Sequence, residues 1–349
     1  MPRSRPGRSR AAGHAAAPTT SDRASSPWSD CIRARCGRRL KTAGASDRLC
    51  PMTATSETAA LDPALLAWLS PVVGEVSLVQ TLTGGITGQM LQLRRADGQG
   101  DLVVRRWPGE RESDQEMVRR EVAGLDALAE VGLPVPSLLA ADPDGAATGR
   151  PTTLTHFLPG RVELAPAEPR AWVRRLAAML ARIHAVPPPA LAPCEPADTA
   201  ELSWLDQNGD PGLARAAREL ADGPVDPDRA VLSHGDYQHF NVLWREEEIS
   251  AVVDWPTVGL ADRGVDVGHC RLNLAVLFSA EAAMGFLTDY EELAGVRIDP
   301  ASDMERLLNF GPHWREFIPF QVLGRAPVDG PGMADRVRET IVATLRRAG

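Results

Sequence analysis

The sequence predicts an α+β chain in two lobes: a small antiparallel sheet with one helix, then a larger, mainly helical lobe. Three observations predict it. Between Gly74 and Phe157 apolar residues recur largely with the period of two that marks strands, punctuated by Gly and Asp-Gly turns. One helical period interrupts them, after Ser113. Beyond Leu158-Pro159-Gly160 the period is helical almost throughout. Strands grouped before helices is the α+β arrangement.

The chain divides into residues 1–58, 59–157 and 158–349. Residues 1–58 are rich in Arg, Ser, Ala, Gly and Pro without hydrophobic period, and are expected to be a disordered basic tail. Transit peptides share this composition. A further expectation is that Met52 is the true start and the stretch before it a mis-called leader, since the Arg-over-Lys bias suggests GC-rich coding. Residues 1–51 carry a net +8, the remainder −16.

In the small lobe, Glu75–Leu82, Gln89–Arg95 and Leu102–Trp107 read as a three-strand meander. Its first two strands are joined by Thr83-Gly84-Gly85-Ile86-Thr87-Gly88. Ser113 to Glu116 reads as a capping box opening a helix through Val118, Val122, Leu125 and Leu128, stopped by Gly132 and Pro134. Ser137–Ala141 and Thr152–Phe157 read as two more strands. In the second lobe Trp172, Leu176, Met179, Leu180 and Ile183 form one helical stripe. Further helices are expected near 264–279, 280–294, 302–309 and 334–347.

Composition excludes much chemistry. There is one lysine, Lys41, preceded by Leu40, so no Gly-Lys-Ser/Thr phosphate loop can be written. No lysine follows that could form a Schiff base. GxSxG, HExxH and GxGxxG are absent. The acidic body argues against nucleic acid as a partner. No apolar run reaches the roughly 18–20 residues of a membrane span. Five cysteines without CxxC spacing argue against a disulfide framework or structural zinc, and fit a cytoplasmic protein.

The chemistry concentrates in Ser233–Trp244 and Ala251–Trp255. Val242–Trp244 and Ile249–Val253 read as a β-hairpin around the charged turn Arg245–Glu248. Paired strands lie about 4.8 Å apart, so Asn241, entering the hairpin, and Asp254, leaving it, stand side by side. Both are hard oxygen donors suited to Mg²⁺. Asp236 sits in the loop just before, free to face the same point. A lone carboxylate beside an Asn/Asp metal pair is what phosphoryl transfer from a nucleotide requires. Glu121 shares an otherwise apolar helix face with Met117, Leu125 and Leu128, where a carboxylate wants a cation.

Residues 234–241, HGDYQHFN, resemble the catalytic loop of the aminoglycoside phosphotransferase and choline kinase-like families, relatives of protein kinases in which HGD replaces HRD. VVDW at 252–255 resembles their metal-binding segment, and GVDVGHCRLNL at 264–274 the helix that follows it. The resemblance runs from about residue 72 to 345 and is strongest at 231–275. It implies a bilobal protein-kinase-like fold that binds ATP or GTP with Mg²⁺. The reaction it implies is transfer of the γ-phosphate to the hydroxyl of a small-molecule acceptor: an aminoglycoside, a similar antibiotic or a small metabolite. Carried over, Asp236 is the catalytic base, and Asn241 and Asp254 bind Mg²⁺. Gly84, Gly85 and Gly88 cover the phosphates. Arg105 stands where kinases place the β3 lysine, with Glu121 as its helix partner, although strand alternation leaves open whether Arg105 or Arg106 points inward. Phe240 departs from the small residue usual before the Asn. His234 and Asp266 are expected to support the loop structurally, Asp266 as a buried helix-start carboxylate. His184 is expected in the core, and His239 and His269 have no assigned role. Two other readings compete: a metal-dependent hydrolase using His234, Asp236, His239, Asp254 and His269, and a non-catalytic kinase-like binding module.

Overall fold

The computed structural model describes residues 61–82, 88–109, 111–197, 199, 201–206, 211–322 and 324–349. The expected basic tail, the Met52 start, Gly84 and Gly85 lie outside the described residues.

The first lobe opens with a helix that period-counting did not anticipate, α1 (Pro63–Val73). Asp62 caps it, Pro63 fills the first position, where a missing N–H costs nothing, and Pro71 lies inside it. Its Leu65, Leu69 and Val73 are buried on the sheet with Leu91, Leu93, Leu102, Val104 and Leu154. The sheet contains β1 (Val76–Leu82), β2 (Gln89–Arg95), β3 (Asp101–Arg106), β4 (Leu138–Asp142) and β5 (Thr152–His156). All pairings are antiparallel, in the order β1-β2-β3-β5-β4.

Helix α2 (Glu112–Leu128) follows β3. The expected capping box is not made. The helix starts one residue ahead of Ser113, and Asp114, inside the first turn, reaches back to accept the Gly109 N–H at 3.0 Å. The carboxylate meets the helix's positive end, so the electrostatic logic survives while the residue doing it changes.

The second lobe contains β6 (Arg161–Val162), α3 (Pro169–His184), α4 (Leu213–Ala221), β7 (Val231–Ser233), β8 (Val242–Arg245), β9 (Glu248–Val252), β10 (Gly259–Ala261), α5 (Gly264–Leu277), α6 (Ala280–Ala294), α7 (Pro300–Leu307), α8 (Trp314–Val322) and α9 (Gly332–Ala348). The α+β, two-lobed expectation stands. Helix α8 was not anticipated: Pro319 lies inside it and masks its period. The hairpin is real, with β8 and β9 antiparallel and Val242 opposite Val252.

Helix α5 is buried along nearly its whole length. Its Arg271 is fully buried and pairs with the equally buried Asp303 of α7. The same guanidinium donates to the Ala283 carbonyl of α6 and to Thr344 Oγ1 of α9, at 2.9 Å for the latter. One charge thus joins four helices. Burial raises the Asp303 carboxyl, and Arg271 offsets that only in part. Among the described residues no helix is long and apolar enough to cross a membrane.

Candidate active site

The loop from Ser233 to Asn241 joins β7 to the hairpin, and its shape is imposed from three sides. Gly235 has φ 78° and passes so close to residue 257 that a Cβ would lie 2.2 Å from the Thr257 carbonyl oxygen. Only glycine fits. Buried Asp266, in the first turn of α5, accepts from Ser233 Oγ and from the backbone N–H groups of His234 and Gly235, at 2.8, 2.7 and 2.8 Å. His184 Nε2 lies 3.1 Å from the same carboxylate. Burial opposes the Asp266 charge, but His184, His234 and Ser233 outweigh it and push the carboxyl far below its ordinary range. His234 packs on Trp255 with ring centroids 4.4 Å apart, accepts from the Asp236 N–H through Nδ1, and donates from Nε2 to the Val253 carbonyl. His184 is also buried, its Nδ1 2.6 Å from the Tyr290 hydroxyl.

Asp236, 8% exposed, is held by three side-chain donors. Oδ1 takes His269 Nε2 at 2.7 Å and Gln238 Nε2 at 3.1 Å. Oδ2 takes Asn241 Nδ2 at 2.9 Å. Burial alone would raise this carboxyl. The hydrogen bond and charge of His269, the charge of His234 and the Asn241 amide outweigh it and hold the group below the usual carboxylate range.

His269 is the residue that sequence reasoning left without a role. The signal was present: Asp266, His269 and Asn273 are spaced i, i+3, i+7 on α5, hence on one face. That face serves the loop twice. Asp266 holds its backbone and His269 its carboxylate, while Asn273 Nδ2 sits 3.3 Å from His269 Nε2. His239, also unassigned, packs among Trp172, Phe240 and Phe278. Its ring nitrogens are buried with no partner among the described residues, and burial pushes its pKa down to about 3. It is an apolar filler.

Asn241 Nδ2 donates to both the carboxylate and the backbone oxygen of Asp236, and the Asn241 carbonyl accepts the Val253 N–H at 2.9 Å. The hairpin therefore brings Asn241 beside the start of the 254 turn. Asp254 has φ 71°, a left-handed conformation rare for a residue with a Cβ and costing on the order of 1–2 kcal/mol. In that conformation its Oδ1 meets Arg105 Nη1 at 2.6 Å.

Both strand arginines are buried. Arg105, 4% exposed, reaches Asp254, lies 3.6 Å from Glu121 of α2, and stacks 4.1 Å over the Trp107 ring. Arg106 turns to Asp62 and to the Thr148 carbonyl. Strand alternation put the two on opposite faces, and the structure places Arg105 on the cleft side. Burial disfavours the Arg105 charge, but Asp254 and Glu121 more than restore it. Glu121, farther from the guanidinium than Asp254 and facing Asp254's charge, is raised by burial despite Thr153 donating to it. Gly88 lies against this strand, where a Cβ would come 2.8 Å from the Arg106 carbonyl oxygen.

Beside Asp236 open two cavities, of about 120 and 40 Å³. Both are lined by Asp236, His269 and Phe310. The larger reaches α2 and Arg306, the smaller the aromatic side chains of α8.

With this geometry in hand, the comparisons with known proteins are informative. The mouse protein Acyl-CoA dehydrogenase family member 10 is 27% identical over an alignment of 235 residues that covers 61% of this chain. This chain spans only 22% of that relative's length. Among solved structures, a candidate aminoglycoside phosphotransferase from Ralstonia eutropha superposes with a TM-score of 0.54 at 19% identity, covering 82% of this chain and 97% of that one. A thermostable mutant of the aminoglycoside phosphotransferase APH(4)-Ia, in ternary complex with ADP and hygromycin B, gives 0.52 at 17% identity, covering 81% and 98%. At these identities the likeness is one of fold, and the fold is theirs. The sequence profile of the phosphotransferase enzyme family matches residues 79–307, which take in the β-meander, Arg105, Glu121, the 233–241 loop, Asp254 and α5. A match over that much of the chain places the protein in the phosphotransferase enzyme family.

Proposed function

We propose that the chain is a small-molecule kinase that moves the γ-phosphate of a Mg²⁺-bound nucleotide, ATP or GTP, to a substrate hydroxyl. The observation that carries the reading is the double anchorage of Asn241. Its side chain is tied to Asp236 and its backbone to Val253, the residue before Asp254, which supports a reading in which these three oxygen-bearing side chains act together at one end of the hairpin. Arg105 approaches from the opposite lobe.

The donor set fits Mg²⁺. Asn241 offers the oxygen end of an amide whose nitrogen is already engaged, and Asp254 brings Oδ2 beside the Oδ1 that Arg105 holds. These two residues would hold the ion, which when bound neutralises phosphate charge. Arg105 supplies a second, fixed positive charge toward the phosphates, with Glu121 holding it from behind and Gly88 against its strand. Asp236 accepts the hydrogen bond of the acceptor hydroxyl and orients it. As the hydroxyl oxygen bonds to the γ-phosphorus, the bond from that phosphorus to the bridging oxygen breaks, the nucleoside diphosphate leaves with the electron pair, and the hydroxyl proton passes to the Asp236 carboxylate. A carboxyl held below its ordinary range is a weak base, which suits a loose transition state in which the proton moves late.

Thermal unfolding with Mg-ATP and Mg-GTP tests the reading, because a ligand that binds only the native state raises the melting temperature. The wild type is expected to show a Mg²⁺-dependent rise that Asp254→Ala removes. Asp236→Ala is expected to keep the rise and lose turnover. No rise with either nucleotide, or full turnover in Asp236→Ala, overturns it. The hydrolase alternative finds no support, since among the described residues no group of three or more His, Cys, Asp or Glu is arranged to hold a metal ion. Because a fold neighbour is named with hygromycin B, aminoglycosides belong in the acceptor screen.

A further inference from the structure

The larger cavity beside Asp236 is walled by Arg120 and Arg306 and by the carboxylates of Glu116, Glu195 and Asp236, and among the described residues Arg306 is the arginine of the two that meets none of them. Arg120 of α2 is matched twice: Nε lies 3.4 Å from Glu116 and Nη2 3.1 Å from Glu195. Asp236 is matched by His269. Arg306, at the end of α7, is not matched. It is 6% exposed and lines the cavity together with Asp236 and His269. Its Nη2 donates to the Glu195 backbone carbonyl, its buried Nε has no hydrogen-bond partner, and no carboxylate among the described residues pairs with it. Its Cβ is pinned against the path of α5, where a Cβ added at Gly268 would lie 2.8 Å away. A guanidinium removed from water without an anion beside it is unfavourable. It is retained where an anion arrives from outside, and arginine's planar fork suits a carboxylate or phosphate.

The smaller cavity, on the other side of Asp236 and His269, points the same way. Its walls are Leu272, Val276, Trp314 and Phe317 with the amides of Gln238, Asn273 and Gln321, and Asp236 is its one carboxylate. Nothing there is built to hold several ammonium groups.

We infer that the phosphate acceptor is an anionic hydroxy compound, whose carboxylate or phosphate pairs with Arg306 while its hydroxyl meets Asp236, rather than a polycation. This rests on the kinase reading above. The transfer is the same step: the acceptor O–P bond forms, the bond to the nucleotide's bridging oxygen breaks, and the hydroxyl proton goes to Asp236. The anionic group is unchanged and serves only to position.

The test uses the full chain with its nucleotide site first filled by Mg-ADP. Lactate, 3-hydroxybutyrate and glycerol 3-phosphate are then added separately, against propane-1,2-diol, butane-1,3-diol, glycerol and hygromycin B. The anionic probes are expected to raise the melting temperature further, and their neutral counterparts and hygromycin B not to. Which anion acts distinguishes carboxylate from phosphate. Arg306→Met is expected to abolish that second rise while keeping the Mg-ADP rise, and Arg306→Lys to retain part of it. In turnover with whichever anion responds, Arg306→Met is expected to raise the acceptor KM at least tenfold with little change in kcat. A Mg-ADP rise with no further rise from any anion, or a response that Arg306→Met leaves intact, overturns the inference and leaves the kinase reading standing. Absence of the Mg-ADP rise itself overturns both.

Discussion

His269 Nε2 lies 2.7 Å from Asp236 Oδ1, the shortest of the hydrogen bonds that fix this carboxylate. A histidine in the second turn of α5 thereby helps set both the direction and the acidity of the carboxylate proposed as the catalytic base. His269→Ala removes the donor, and a loosened Asp236 is expected to lower kcat by about 10- to 100-fold. The nucleotide KM should hold, since the polar contacts of His269 are to Asp236 and Asn273 rather than to Arg105 or Asp254. The pH profile separates this from simple damage. His269 helps depress the Asp236 carboxyl, so without it the pKa rises and the acid limb of kcat/KM moves to higher pH. An acid limb in the same place would contradict the coupling.

Arg105 is the buried cation between Glu121 and Asp254. Arg105→Met leaves two carboxylates facing each other, and unfolding in urea should show a loss of about 3–5 kcal/mol, the usual result of stripping one partner from a buried charge cluster. Arg105→Lys should recover much of the stability. It would lose the flat contact with Trp107, and the nucleotide KM should rise.

Asp266 makes stability depend on pH in a direction that can be worked out. Its folded-state carboxyl is depressed below an unfolded value of about 3.9. The stabilisation is therefore complete above about pH 4 and is lost as pH falls through the folded pKa. Asp266→Asn should cost about 2–3 kcal/mol at pH 7, the worth of hydrogen bonds to a charged group. The urea midpoint of the variant, followed from pH 7 to pH 3, should fall less steeply than that of the wild type.

Gly235→Ala places a Cβ 2.2 Å from the Thr257 carbonyl oxygen at a φ of 78°. The loop has to move, and turnover should fall below detection even where the circular dichroism spectrum is native. A fully active variant would mean that the loop's path is not what aligns Asp236.

Much of this was legible in the sequence wherever a local period or spacing carried the information. β2 spans Gln89–Arg95 as alternation predicted, and the hairpin brings Asn241 to the residues flanking Asp254 because strand pairing admits few other outcomes. Glu121 finds its cation because an acid on an apolar helix face has little alternative. What escaped was decided by contacts between distant segments. Arg105 and Arg106 are both buried, so alternation could say only that they diverge, not which one meets Asp254. The Ser113 box lost to Asp114 over a single residue of register. Pro71 and Pro319 concealed two helices whose packing compensates for the missing N–H. Arg306 looked like one arginine among many, and only its burial without a paired carboxylate among the described residues distinguishes it.

The buried Arg271 has a consequence for the order in which the chain matures. Its hydrogen-bonding partners lie at positions 283, 284, 303 and 344. During synthesis α5 emerges long before Thr344, and until then a guanidinium sits at the centre of a half-built lobe with its set of partners incomplete. The charge on Arg271 can be met by Asp303 once α7 is made, but its set of partners is completed only by α9. A nascent chain halted before residue 344 is therefore expected to be more open to proteolysis at α5 than the full chain.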